Sequence, residues 1–231
     1  IDSSFERLAK YVSAYEQKMI MKREVIANKG IWTAKKRYIL NVFNEEGVDL
    51  KDPKLKIMGI EAVKSSTPAP CRIKIKEALK VIMTKDESAL IQFIDDFRVH
   101  FKKLQPEEIA YPRSCNNLKK YTSSKDIYQK SCPIHVRGAL LYNHQLKKRK
   151  LVKYEAVNEG DEIKFITLKE PNPLHENVIS FISTLPKEFD LHKYIDYDEQ
   201  FNKSFLEPLK FILNAINWNF EKKASLEEFF G

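Results

Sequence analysis

Cysteine is the scarcest informative residue in this chain, with three among 231 residues. Cys71, Cys115 and Cys132 are odd in number and far apart, with no CxxC and no Cys/His ligand spacing. That pattern argues for a reducing compartment and against a zinc site. There is also no apolar run of about 18 or more residues, so no membrane-spanning segment is expected. Ile1-Asp2-Ser3-Ser4 lacks a basic n-region and an apolar h-region, so no signal peptide is read there. The chain does not open with Met, which fits a start inside a longer protein or after a processing cut. No repeat and no low-complexity tract occurs. No acid/base or nucleophile constellation supports a small-molecule enzyme.

What is present is positive charge and enough apolar material to fold. The chain is 43% hydrophobic, sufficient for one sizeable core or two modest ones. Its formal net charge is +8 despite 32 acidic residues. This is a mixed but basic surface, and polyanion binding is the first hypothesis it raises.

The periodicities predict an α+β chain in two blocks. Residues 3–19 read as an amphipathic helix with Ser3 and Glu6 as a capping box. Residues 20–27 read as β, Asn28-Lys29-Gly30 as a turn, and 31–43 as a second strand. Asn44 to Gly47 reads as a turn and 54–60 as a third strand. After the loop 64–70, helices are expected over 71–84 (Ile73, Leu79 and Ile82 apolar) and 87–104. Residues 105–130 read as irregular, and 134–147 as a helix. Short strands are expected at 151–155, 162–168 and 178–183, and a long helix at 196–217.

The stretch "WTAKKRY" places Lys35, Lys36 and Arg37 at the start of a strand whose continuation is apolar. Strand alternation puts Lys36 with Tyr38 on one face and Lys35 with Arg37 on the other. Such a cationic strand tip suits a neighbouring polyanion, and equally suits a solvated strand end guarded by lysines. The loop Lys64-Ser65-Ser66-Thr67, bounded by Pro68, offers a cation, three hydroxyls and backbone N–H groups. It can hold phosphate oxygens without reading a base.

"WTAKKRYILNV", "DPKLKIMG", "KSSTP", "CPIHVRGALLYN" and "KKASLEEFFG", in this order, resemble the family B (alpha-like) DNA polymerases of T-even-type bacteriophages. The resemblance runs from about Met21 to Gly231. It implies the C-terminal palm over residues 1–60, the thumb over 61–222 and a clamp-binding tail over 223–231. In that family the KKRY element, here Lys35, Lys36, Arg37 and Tyr38, contacts the primer–template duplex behind the active site. Lys64, Ser65, Ser66 and Thr67 are carried over as DNA contacts, as are His135, Arg137 and Gly138 of "CPIHVRG". Arg137 can clamp a phosphate, and Gly138 can admit a backbone.

The family's metal-binding Asp-Thr-Asp is absent, as are fingers and exonuclease. The resemblance therefore implies no catalytic residue and no cofactor in this chain, with Mg2+ belonging to the complete polymerase. Glu24 matches a family glutamate near the catalytic centre, and equally reads as a plain strand-surface residue. The implied partners are primer–template duplex DNA, the N-terminal part of a polymerase, and a sliding clamp. The implied location is the cytoplasm of an infected bacterium. The chain would be a recombinant piece or one subunit of a split polymerase. Clamp-binding peptides carry a Gln, two residues, an aliphatic, two more, then two aromatics. Leu226, Phe229 and Phe230 fill the apolar positions, whereas Lys223 stands in place of the Gln. A stand-alone nucleic-acid-binding replication accessory protein remains the alternative.

Overall fold

Two three-stranded antiparallel sheets frame the chain in a computed structural model that describes residues 2–14, 21–123 and 125–221. The class is α+β, as the sequence predicts. The first helix, α1, covers Asp2–Tyr11. It ends at Tyr11, short of the expected 3–19, and residues 15–19 of the anticipated helix lie outside the described residues.

The first sheet comprises β1 (Val25–Ala34), β2 (Arg37–Glu45) and β3 (Val48–Met58), in that order. The expected turn at Asn28–Gly30 does not form, and β1 runs straight through it. Gly30 has another task. A Cβ there would lie 2.5 Å from the Trp32 indole and 2.9 Å from Leu40, so its bare backbone lets the indole lie across the sheet. The chain instead reverses at Lys35–Lys36, between the paired residues Ala34 and Arg37. Lys35 and Lys36 therefore form a hairpin turn rather than the start of a strand, with Arg37 alone of the three cations opening β2, and Lys36 adopts φ +61° to close the turn.

The second hairpin turns where the sequence predicts. Glu46 and Gly47 both take positive φ, 51° and 90°, the geometry of a mirror-image turn favoured between twisted strands. β3 extends well before the predicted 54–60 because it is an edge strand, where Pro53 is tolerated. One face of this sheet, through Ile31 and Ile39, joins the hydrophobic core.

A helical hairpin follows. Pro68 and Pro70 open α2 (Ala69–Thr84), and Asp86 caps α3 (Glu87–Phe101) by accepting from Ala89 N at 2.9 Å. Cys71, Ile75, Ala78, Leu79 and Ile82 of α2 face inward. Ile73, expected among them, is 56% exposed because it lies about two residues round the helix from Cys71 and Ile75.

The segment read as irregular contains a short helix α4 (Pro106–Ile109), strand β4 (Tyr111–Ser114) and short helix α5 (Leu118–Tyr121). α6 (Ile134–Lys148) packs on a second sheet ordered β4, β5 (Glu162–Thr167), β6 (Val178–Phe181). No strand forms at 151–155. That stretch caps α6 instead, where Tyr142 donates its hydroxyl to the Glu155 carbonyl at 3.3 Å.

The final helical run is α7 (Tyr197–Phe201), a π turn (Asn202–Leu206) and α8 (Glu207–Asn214). Pro208 cannot donate to the carbonyl four residues back, and the widened turn just before it absorbs the mismatch. Phe201, Phe205, Leu209, Ile212 and Leu213 are buried as their spacing predicts. Phe205 meets Phe97 edge-on at a centroid distance of 4.8 Å, and Phe201 meets Phe101 at 5.3 Å.

Candidate functional site

The two basic segments that the sequence singles out are neighbours in space, and the residues joining them were not anticipated. Gly59 follows β3 with φ +68°, and a Cβ on it would sit 2.4 Å from the Lys36 carbonyl oxygen. Only glycine lets the chain pass so close under the hairpin turn. Two residues on, Glu61 accepts from Arg37 Nη2 at 2.9 Å through one oxygen and from Lys64 Nζ at 2.7 Å through the other. A single carboxylate thus ties the β1–β2 turn to the 64–67 loop.

That tie sorts the cations. Arg37 is held by Glu61, with its guanidinium carbon 5.6 Å from the Phe211 ring centroid, so it is a structural residue of this corner. Lys64 is shared with Glu61 yet remains 45% exposed. Lys35 and Lys36 are exposed and pair with no other described residue. Tyr38 is half-buried, in register with Trp32 on one side and Met58 on the other. In the loop, Ser65 is exposed and Ser66 half-buried, whereas Thr67 is buried, with its backbone N–H on the Lys64 carbonyl at 3.2 Å. Ser65 and Ser66 line a surface cleft of about 280 Å³ with Arg113, Ser114 and Glu162.

The residues of "CPIHVRG" sit at the start of α6, and each has a partner inside the fold. Arg137 donates to Asn177 Oδ1 at 2.6 Å, lies 3.8 Å from a Glu176 carboxylate oxygen, and stacks over Tyr128. Gly138 is buried, and the backbone it admits is that of β6. A Cβ there would lie 2.4 Å from Ser180 Oγ. His135 packs against the Phe165 ring, with centroids 6.2 Å apart. Burial first, and the Arg113 charge second, hold its pKa below the ordinary histidine value of 6.5. The imidazole is therefore neutral near pH 7 and brings no cation to an anion.

Glu24 lies at the mouth of β1, where its carboxylate pairs with the Lys56 ammonium and its carbonyl accepts from Glu46 N at 2.8 Å. The Glu24 hydrogen bond raises the Lys56 pKa above its ordinary 10.5. Among the described residues no three Asp, Glu, His or Cys side chains converge as a metal site. Leu226, Phe229 and Phe230 lie outside the described residues. No helix among the described residues is long and apolar enough to cross a membrane.

Chemically, the surface offers two unpaired ammonium groups at a rigid turn and hydroxyls in an adjoining loop. Such groups can receive an anion by charge and hydrogen bonding. No family model matches the chain. In an alignment of 243 positions it is 36% identical to the "DNA-directed DNA polymerase" of Escherichia phage RB69. It is 32% identical, over the same length, to the protein of that name from Enterobacteria phage T4. Each alignment takes in 100% of this chain but only 26% and 27% of the respective relatives, so the chain spans about a quarter of their length. The chain is homologous, throughout its length, to these phage DNA-directed DNA polymerases.

Proposed function

We propose that the chain is the C-terminal palm region (residues 1–60) and thumb (61–222) of a family B DNA polymerase that works in an infected bacterial cell. Its task is to grip the primer–template duplex through phosphates with little sequence preference. Residues 223–231 tether the enzyme to a sliding clamp through Leu226, Phe229 and Phe230. The observation that carries the grip is the junction built by Gly59 and Glu61. It fixes the unpaired Lys35–Lys36 turn beside the Ser65–Ser66 loop, so cations and hydroxyls face the same neighbourhood. Arg37 and Thr67 support this surface from within, and Tyr38 borders it from the sheet, whereas Arg137 and Gly138 are engaged with Asn177, Glu176 and β6 on the second sheet.

Two-metal phosphoryl transfer needs clustered carboxylates. Glu61, the acid at the basic corner, is spent on Arg37 and Lys64, and among the described residues no three Asp, Glu, His or Cys side chains converge, so the described residues do not fit a Mg2+ pair. We therefore assign nucleotidyl transfer to the remaining polymerase polypeptide, with its own exonuclease, fingers and catalytic palm. Primer extension tests this directly. The chain alone should give no Mg2+-dependent incorporation, and adding a polypeptide with the remaining polymerase domains should restore it. Extension by the purified chain alone would contradict the assignment.

A further inference from the structure

The inner face of the first sheet is not wholly covered by α2. Lys29, Asn41 and Leu55 form a row across β1, β2 and β3, and Lys29 Nζ donates to the Met83 carbonyl at 2.7 Å. That bond ties the end of α2 to β1. Beside it, along the edge strand β3, a groove of about 720 Å³ stays open. Its floor is apolar, built from Leu55, Ile57 and Met83, and Val63 on its wall is 48% exposed. Its rim is cationic. Lys54 is paired with Glu45, but Lys76 and Lys80, one turn apart on α2, are exposed and pair with no described residue. No carboxylate is among the described residues that line the groove. An apolar trough edged by two uncommitted ammonium groups fits a segment that carries apolar and acidic side chains close together.

The chain holds such a segment within reach. Asn219 donates to the Glu87 carboxylate from its backbone N–H and, at 2.9 Å, from its side-chain amide. Glu87 opens α3 three residues after Thr84, which also lines the groove. The chain is thus tied down at the α2–α3 turn, close to one end of the groove. From Asn219, the seven further residues to Leu226 span up to about 23 Å when extended. Residues 225–230 read Ser-Leu-Glu-Glu-Phe-Phe, with three large apolar side chains, two acids and no base.

We propose that residues 225–230 dock in this groove of their own chain, with Leu226, Phe229 and Phe230 on the apolar floor and Glu227 and Glu228 against Lys76 and Lys80. The docking stands on the groove itself, and its consequence rests on the clamp-tether reading. The same three apolar side chains cannot serve groove and clamp together, so docking withholds the tether until a clamp competes for it. A segment docked about nine-tenths of the time binds the clamp about tenfold more weakly than a free one.

The test uses the full chain with carbon-13-labelled methionine methyl groups. Met83 lies in the groove and reports its occupancy, whereas Met58 at the end of β3 reports the sheet. Phe229→Ala/Phe230→Ala should shift the Met83 resonance by removing the ring currents and leave Met58 in place. Lys76→Glu/Lys80→Glu should shift Met83 in the same direction. Adding Glu227→Lys/Glu228→Lys to that variant should return the resonance toward its parent position, a rescue that no purely structural role for the lysines predicts. A purified phage sliding clamp should move Met83 to the released position, and should bind the Lys76→Glu/Lys80→Glu chain about tenfold more tightly than the parent. A Met83 resonance indifferent to the phenylalanines would overturn the docking and leave the tether standing. A response to the phenylalanines with no rescue by charge exchange would overturn the assignment to this groove. The expected Met83 responses without clamp binding by any variant would uphold the docking and overturn the tether. A parent Met83 resonance that moves to the released position on dilution would assign the groove to a second copy's segment and overturn docking within the chain.

Discussion

Glu61 receives the guanidinium of Arg37 at 2.9 Å, and both side chains are mostly withdrawn from solvent, with 21% and 28% exposed. The bond locks the end of the β1–β2 hairpin to the segment that follows β3. Arg37 Nε is already buried without a partner, so this corner has no spare acceptor. Glu61→Ala should cost about 1–3 kcal/mol by leaving the guanidinium underpaired. Urea unfolding of the variant against the parent chain measures it. A midpoint unchanged from the parent would mean that Arg37 finds solvent instead.

Gly59 and Gly47 provide a matched pair of tests. Both have positive φ, but a Cβ at Gly59 would strike the Lys36 carbonyl, whereas at Gly47 it would meet nothing within 4 Å. Gly59→Ala should destabilise the chain by about 1–3 kcal/mol and weaken duplex binding, because the lysine turn must shift. Gly47→Ala should carry only the backbone penalty and leave binding unchanged. Equal binding losses in the two variants would argue against a positional role for Gly59.

His135 makes stability depend on pH in a stated direction. Burial and Arg113 depress its folded pKa below 6.5, so the unfolded chain takes up a proton more readily than the folded one. Its contribution is complete above the unfolded value and is lost as pH falls from about 6.5 through the folded pKa. His135→Gln should therefore flatten the decline of thermal stability on mild acidification. An unaltered decline would place its cause at another group.

Cys71 is buried and in contact with Ser204 Oγ at 3.2 Å, and burial pushes its pKa up to about 11. Cys115 is buried too, with its pKa raised to about 11 chiefly by the same cause. Near neutral pH, iodoacetamide should modify the half-buried Cys132 first and reach Cys71 and Cys115 only on unfolding. Mass spectrometry of native and denatured samples reads the order directly, and early loss of the Cys71 thiol would show that the packing of α2 against the π turn (Asn202–Leu206) opens readily.

The long helices were legible because their apolar spacing is dense, as in Leu90, Ile94, Phe97 and Phe101 of α3. The first hairpin was misplaced because glycine carries two meanings. Gly30 beside Asn28 and Lys29 resembles a turn, yet its missing side chain serves the Trp32 indole. Lys36, with no turn propensity, takes the positive φ instead. At the candidate site the basic residues were visible as a cluster, but their division into paired and unpaired cations was not. That division depends on Glu61, Glu176 and Asn177, whose proximity arises only from tertiary folding. The place of Arg113 in the cleft with Ser65 and Ser66 was hidden for the same reason, since nothing in "YPRS" reveals that β4 lies beside the 64–67 loop. The one available signal was a lone arginine flanked by a proline and a serine, which is too common to single out.

The salt dependence of duplex affinity in Lys35→Ala/Lys36→Ala, compared with the parent chain, tests the grip most directly. Both lysines are exposed and unpaired among the described residues, so their removal should leave the fold intact. If each neutralises one phosphate, the log–log slope should become shallower by about 1.8, at about 0.9 per contact, with similar losses on unrelated sequences. An unchanged slope with the fold preserved would contradict the assignment of the hairpin turn to the DNA backbone.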